Sequence, residues 1–406
     1  MPRRKLLGLL IPAGIAVAGL SSSFMMPLND PAIDYARAPL DDAVARLQKR
    51  LDKGETRLRY EDEFGYLRST LRELGVSTAS QILVFSKTSF QAPRIAPRTP
   101  RALYFNDSVA VGFVRTGDLL EFAALDPKQG IVFYTLDQGR AAKPRFERRD
   151  DCLQCHQSGA TMGIPGLMVR SVTTDAAGNP ILSAGGFITD HRSPIAERWG
   201  GWYVTGTSGT QTHRGNGAEP TSNVTDLKPW IDTGAYLSPH SDIVALMTLE
   251  HQTRMDNLMI RVGWEARIAM MENDTLNKSV GEPEGQIRPA IQHRIEAASE
   301  DLLQYMLFRD EAKLTAPITG TSGFAEEFSK QGPRDSKGRS LRDFDLQTRM
   351  FKYPCSYMIY SEAFDGMPAV VKDHLYRRLW EEADPTVRQI IAETKKGLPA
   401  YWSQAR

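Results

Sequence analysis

Two cysteines and a histidine fall within five consecutive residues, Cys152-Leu153-Gln154-Cys155-His156, and this spacing constrains the fold more than any other feature of the chain. Residues three and four apart share one side of a helical turn, so the three side chains converge only if the segment is helical and the surface beside it stays open. Two thiols can add to the two vinyl groups of haem, and the adjoining imidazole can bind iron from one face. The motif therefore predicts one covalently attached haem c, with Cys152 and Cys155 as tethers and His156 as the iron ligand. Two other readings compete. Structural zinc needs four N or S ligands at short spacing, and the third cysteine, Cys355, stands about 200 residues further on. A redox dithiol of the thioredoxin kind belongs in the strand-to-helix turn of a βαβ unit. Here the motif follows the charged run 145–151 and precedes the Gly/Pro-rich stretch 158–166. With both motif thiols engaged, Cys355 is expected as a small buried apolar side chain.

The amino terminus agrees with this chemistry. Arg3, Arg4 and Lys5 precede an apolar stretch over residues 6–15 and the small residues Ala16-Val17-Ala18, so residues 1–18 are expected to be a secretory signal peptide. The apolar stretch falls short of the ~20 residues that span a bilayer. A periplasmic or otherwise exported location follows, with membrane contact only if the signal segment is retained uncleaved. Lys plus Arg number 50 and Asp plus Glu 49, a balance that gives no reason to expect nucleic acid or a polybasic membrane contact. The expected partner is a redox protein or a small-molecule electron donor or acceptor. At 406 residues the chain exceeds what a minimal haem carrier requires.

Hydrophobic periods predict an α+β fold: an antiparallel β-rich central region carrying the haem motif, then a mainly helical C-terminal region. Residues 27–79 form an N-terminal helical segment, with Val44, Leu47 and Leu51 on one stripe and Phe64, Leu67, Leu71 and Leu74 on another. Residues 80–240 are the haem c region. Strand patterns over 82–85, 102–105, 109–114, 119–124 and 131–136 are separated by the turn signals Asn106-Asp107 and Thr116-Gly117-Asp118. A further strand pair, 167–172 with 180–183, is expected around the turn 175–179. Within 185–217, Trp199, Trp202 and Tyr203 are equally consistent with a haem wall and with a loop held by tryptophan packing. Residues 241–406 are the helical region packed on the rest, with Val244, Met247, His251, Met255, Leu258 and Val262 on one stripe and Asp384-Pro385 opening the last helix. Arg334, Arg339, Arg342 and Arg349 could meet haem propionates, but pairing with Asp335, Asp343 and Asp345 is the simpler expectation.

The sixth iron position separates electron transfer from catalysis, because a second strong ligand closes the iron and an open position admits small molecules. His213, on a glycine-flanked polar loop, heads the candidates. His251 follows, sheltered on an apolar stripe where a satisfied core histidine would look the same, then Met168 and His191. Met162, six residues after His156, reaches at most ~20 Å.

Several stretches together carry a resemblance: Arg149-Asp150-Asp151-Cys152-Leu153-Gln154-Cys155-His156, Asp190-His191-Arg192-Ser193-Pro194 through Trp199-Gly200-Gly201-Trp202-Tyr203, Leu249-Glu250-His251-Gln252, and Gly338-Arg339-Ser340-Leu341-Arg342 leading to Tyr353-Pro354-Cys355-Ser356-Tyr357. The chain resembles exported bacterial cytochrome c domain-containing proteins, a family of uncharacterised function, over most of its length after residue 80. The resemblance implies covalent haem at Cys152 and Cys155 with His156 as proximal ligand. Proteins of that kind often carry His where Ser208 stands here, which removes a ligand role at that position. Three functions are consistent with these features: an exported mono-haem c electron-transfer protein, a haem c enzyme such as a peroxidase or small-molecule oxidase, and a haem-based sensor or binding module.

Overall fold

A computed structural model describes residues 25–405 except Ala218, so the signal segment expected over residues 1–18 lies outside the described residues. Six strands follow one another as an antiparallel meander: β1 (Ile82–Val84), β2 (Arg101–Phe105), β3 (Val109–Phe113), β4 (Leu119–Asp126), β5 (Gly130–Asp137) and β6 (Phe146–Arg148). β7 (Val169–Val172) and β8 (Gly186–Thr189) pair separately, and β9 (Trp202–Tyr203) returns to the free edge of β1, giving the order β6-β5-β4-β3-β2-β1-β9. The helices are α1 (Ala43–Asp52), α2 (Leu67–Glu73), α3 (Leu153–His156), α4 (Ile243–Val280), α5 (Pro289–Met306), α6 (Phe324–Lys330), α7 (Glu362–Asp365), α8 (Ala369–Glu382) and α9 (Pro385–Thr394). The architecture is α+β, an antiparallel central sheet followed by helices. Among the described residues no helix is long and apolar enough to cross a membrane.

Register divides the sheet into two unlike faces, because side chains alternate along each strand. One face carries the row Tyr104, Val111, Phe122 and Tyr134, all buried. It takes the N-terminal helices: Tyr134 donates to Asp42, whose other oxygen caps α1 by accepting from Val44 and Ala45. Phe64 packs on Phe113 at 6.1 Å. The opposite face carries the mixed row Leu103, Gly112, Glu121, Thr135 and the row Phe105, Ala110, Ala123, Phe133, in which two alanines lie between buried phenylalanines. Arg101, Leu103, Ala110, Leu119, Glu121 and Ala123 there are only half-buried.

α4 begins at Asp242, one oxygen of which accepts from Val244 and Ala245 while the other accepts from Thr321 and Ser322, and ends at Gly281 in the left-handed region that favours glycine. Its apolar stripe is buried, as the helical period predicts. One expectation fails: β7 pairs with Gly186–Thr189, not with residues 180–183. Asp175 captures the amides of Ala177 and Asn179 in a tight turn, Pro180 makes only an isolated bridge to Thr174, and residues 182–184 form a 3-10 turn. Gly185, at positive φ, then redirects the chain into β8.

Candidate cofactor site

A 3-10 turn over Asp150–Cys152 runs directly into α3, so Cys152, Cys155 and His156 lie on one continuous helical segment. Ser158, Thr161 and Met162 then turn the chain back on itself: Ser158 accepts from Gly163, and Thr161 donates to the Ile164 carbonyl. Gly166 arrives beside His156 and closes a two-bond clasp. Its amide donates to the His156 carbonyl at 2.9 Å, and its carbonyl accepts from His156 Nδ1 at 3.0 Å. Because a carbonyl oxygen only accepts, Nδ1 carries the hydrogen, and Nε2 keeps a lone pair with no hydrogen-bond partner among the described residues. Asn257 on α4 fixes the same strand of chain from behind, accepting from Leu167 N at 3.0 Å and donating to Leu167 O at 2.7 Å. Phe133 on the sheet packs against the imidazole at 4.8 Å between ring centres.

The electrostatics distinguish the competing chemistries. Burial pushes the Cys152 thiol up to about 12, with the Asp151 and Glu121 carboxylates adding to the effect. A redox dithiol depends on a lowered thiol pKa, so the environment of Cys152 is wrong for that role. All three cysteines are free; Cys355 is fully buried, and burial pushes its thiol up to about 12, as a small core side chain. Among the described residues no group of three or more His, Cys, Asp or Glu side chains is placed to hold a metal ion directly. Burial also holds the His156 imidazole below its ordinary value, keeping it neutral, as a ligand nitrogen must be.

Exposed apolar side chains occur on the chain to either side of the motif. Arg149, paired with Asp151 at 2.7 Å beside Cys152, lies over the ring of Phe90, which is 55 % exposed. On the hairpin after the motif, Ile181, Leu182, Phe187 and Ile188 are exposed, Leu182 to 87 %. Ile188 stands opposite Arg170, which is within electrostatic reach of His156. Phe187 lies under the Arg214 guanidinium, while its strand neighbour Ile188 points to the other face of the hairpin. The donor set, a thiol pair and a neutral imidazole with a free lone pair, fits a tethered porphyrin.

The remaining candidate ligands are engaged elsewhere. His251 makes contacts of 2.8 Å through both nitrogens, Nδ1 with His191 Nδ1 and Nε2 with Ser356 Oγ, and its ring stacks with Phe308 and Tyr305. His191, the last of the ranked candidates, is buried in that stack. His213 accepts from Gly215 N through Nδ1 at 3.1 Å, which places its hydrogen on Nε2, and sits edge-on to the buried Trp199. The sulfur of Met168 lies 3.8 Å from Arg170 Nη2. No hydrogen bond or ring contact joins any of these side chains to the motif among the described residues. Trp202 and Tyr203 belong to β9, and Trp202 donates to the Arg170 carbonyl, so the tryptophan cluster packs the loop against β7. Of the four arginines over 334–349, Arg334 and Arg339 pair locally with Asp343 and Asp335, while Arg342 reaches Asp107 and Arg349 reaches Glu311.

Gly166 and Asn257, together with Arg101 and Glu121 on the adjoining sheet face, were not singled out in sequence. Gly166 follows Pro165 in the turn-rich stretch and carried a weak local signal; Asn257 looked like any polar residue of a long helix. No family model matches the chain, and no curated protein or solved structure matches it either.

Proposed function

We propose that this chain is an exported mono-haem c redox protein, with Cys152 and Cys155 forming thioethers to the porphyrin and His156 Nε2 binding the iron. The observation that carries the reading is the Gly166 clasp: it selects the Nδ1–H tautomer of His156 and leaves Nε2 free beside two free thiols. Metal-binding histidines characteristically donate their other ring N–H to a carbonyl, which orients the ring and raises its basicity. Haem bound there supplies one-electron chemistry. The protein's own part is mechanical and dielectric. Asn257 holds the clasp against α4, and Phe133 limits rotation of the imidazole.

The test is expression in a host with haem-ligation machinery, followed by intact mass and absorption spectra of the wild type and of Cys152→Ala/Cys155→Ala. The expected result is one haem per wild-type chain and none on the double variant. A colourless wild-type protein without added mass refutes the reading.

A second reading, a haem enzyme acting on a small molecule, is favoured by one observation: both ring nitrogens of His251 are engaged by His191 and Ser356, and Nδ1 of His213 accepts from Gly215, which leaves its hydrogen on Nε2. Ferric holoprotein that is high-spin and shifts its spectrum with cyanide supports this reading, and an inert low-spin spectrum removes it.

A further inference from the structure

The hairpin of β7 and β8 keeps one edge unused. The inner edge of β7 is taken: Val172 N donates to the Gly200 carbonyl at 2.9 Å, and the Arg170 carbonyl accepts from Trp202 Nε1 at 2.8 Å. Arg170 and Val172 therefore turn their backbone groups away from β8. In an antiparallel ladder the residue opposite such a position also turns its N–H and C=O outward. Those residues are Ile188, opposite Arg170, and Gly186, opposite Val172. Both are exposed, and among the described residues neither has a hydrogen-bond partner on that outer edge.

Native sheets guard such edges with lysine, proline or a bulge, because free N–H and C=O groups template a further strand. β8 has none of these, and its register with β7 runs one to one. Residues 181–189 carry no charged side chain. Ile181, Leu182, Phe187 and Ile188 within them are exposed.

The geometry selects among covers. A bilayer is a poor one, since the outward amides of Gly186 and Ile188 would enter hydrocarbon unpaired. A protein surface pressed on one side of the hairpin leaves the other side in water, because Phe187 and Ile188 point to opposite faces. A strand added at the edge pairs with the outward groups and sets its side chains beside Phe187 on one face and Ile188 on the other. The edge is also complementary to itself. Outward positions at 186 and 188 let an antiparallel copy place Gly186 opposite Ile188 in both directions, with Phe187 meeting its counterpart on the two-fold axis. Glycine opposite isoleucine leaves room for the longer side chain, and an uncharged stretch does not repel its own copy. Arg214, which lies over Phe187, is anchored on the β7 side by its hydrogen bond to Thr173 Oγ1.

We propose that β8 is a self-association edge: two copies of the chain pair antiparallel through residues 186–188 and join their hairpins into one sheet of order β7-β8-β8-β7. The contact is short, so the dimer is weak and forms with rising concentration. The proposal is independent of the haem reading.

The test is sedimentation velocity of the full chain over a concentration series, for wild type, Phe187→Lys and Ile188→Pro. Wild type is expected to shift from monomer to dimer as concentration rises. Phe187→Lys sets like charges opposite each other at the axis and is expected to stay monomeric. Ile188→Pro deletes an outward N–H and spares the ladder to β7, as proline can on an edge, and is expected to weaken dimerisation about 10-fold or more. Cysteines read the register. Across a non-hydrogen-bonded pair the Cα atoms stand ~4.5 Å apart, within disulfide range, so oxidised Phe187→Cys is expected to yield a 187–187 crosslink in peptide mass spectra. Ile188→Cys is expected to yield none, because its counterpart lies two residues away along the facing strand. Wild type that is monomeric at every concentration overturns the proposal, as does a dimer that survives both Phe187→Lys and Ile188→Pro, or equal crosslinking at the two positions. If Ile188→Pro does not fold, Phe187→Lys and the cysteine variants, which change only exposed side chains, decide the question.

Discussion

His213 gives the sharpest test of the buried architecture. Its ring is buried against Trp199, and Nδ1 accepts from Gly215 N, so a second ring proton would have to face an amide hydrogen. Burial holds its pKa down to about 4 against an ordinary 6.5. Above pH 6.5 both folded and unfolded chains carry a neutral imidazole and stability is unaffected. As pH falls through 6.5 the unfolded chain takes up a proton that the folded chain refuses until about pH 4, so stability is lost at about 1.4 kcal/mol per pH unit over that window. Between about pH 7 and pH 5 the cost of this one residue is about 2 kcal/mol. His251, held down to about 3 by burial, adds a similar amount over the same interval. Urea unfolding of wild type and His213→Gln at both pH values measures the difference. The variant is expected to lose about 2 kcal/mol less than wild type on acidification, with the spectrum of the proposed haem unchanged. An equal acid loss in the two proteins refutes the burial argument, and an altered spectrum returns His213 to the list of iron ligands.

Asn257→Ala removes both hydrogen bonds to Leu167, with an expected cost of about 2 kcal/mol in urea unfolding and, in protein carrying the proposed haem, a shift of its absorption bands as His156 loosens; unchanged bands would show that the clasp holds without α4. Arg198 and Glu250 form an ion pair at 3.0 Å with both side chains out of solvent, and Arg198 also donates to the carbonyls of His191 and Ser193. Arg198→Met is expected to cost about 3–5 kcal/mol. Burial pushes the Glu250 carboxyl up to about 7, so it sheds its charge easily, and Glu250→Gln is expected to cost less than Arg198→Met; the reverse order in urea midpoints contradicts this account.

Much of the fold was legible because its signals are local. The strand periods around Asn106-Asp107 and Thr116-Gly117-Asp118 match β2 to β5, and Asp384-Pro385 opens α9 where capping chemistry puts it. The partner of β7 was misplaced because a strand was expected directly after the turn 175–179, whereas the 3-10 turn over 182–184 and Gly185 delay it. His191 and His251 illustrate a deeper limit. One stood in a charged loop and the other on an apolar stripe, yet they meet at 2.8 Å across 60 residues of chain, a pairing no local pattern encodes.

The sequence alone determined what fits inside one helical turn: two thiols and an imidazole on one side of it, since that convergence depends only on the rise and twist of the backbone. Tertiary structure decided which imidazole nitrogen is free, through the Gly166 carbonyl, and which histidines are already engaged, through Gly215, His191 and Ser356. The reason is physical. Periodicity fixes the direction of a side chain relative to its own element, while protonation, tautomer and vacancy are set by whatever atoms the rest of the chain brings alongside.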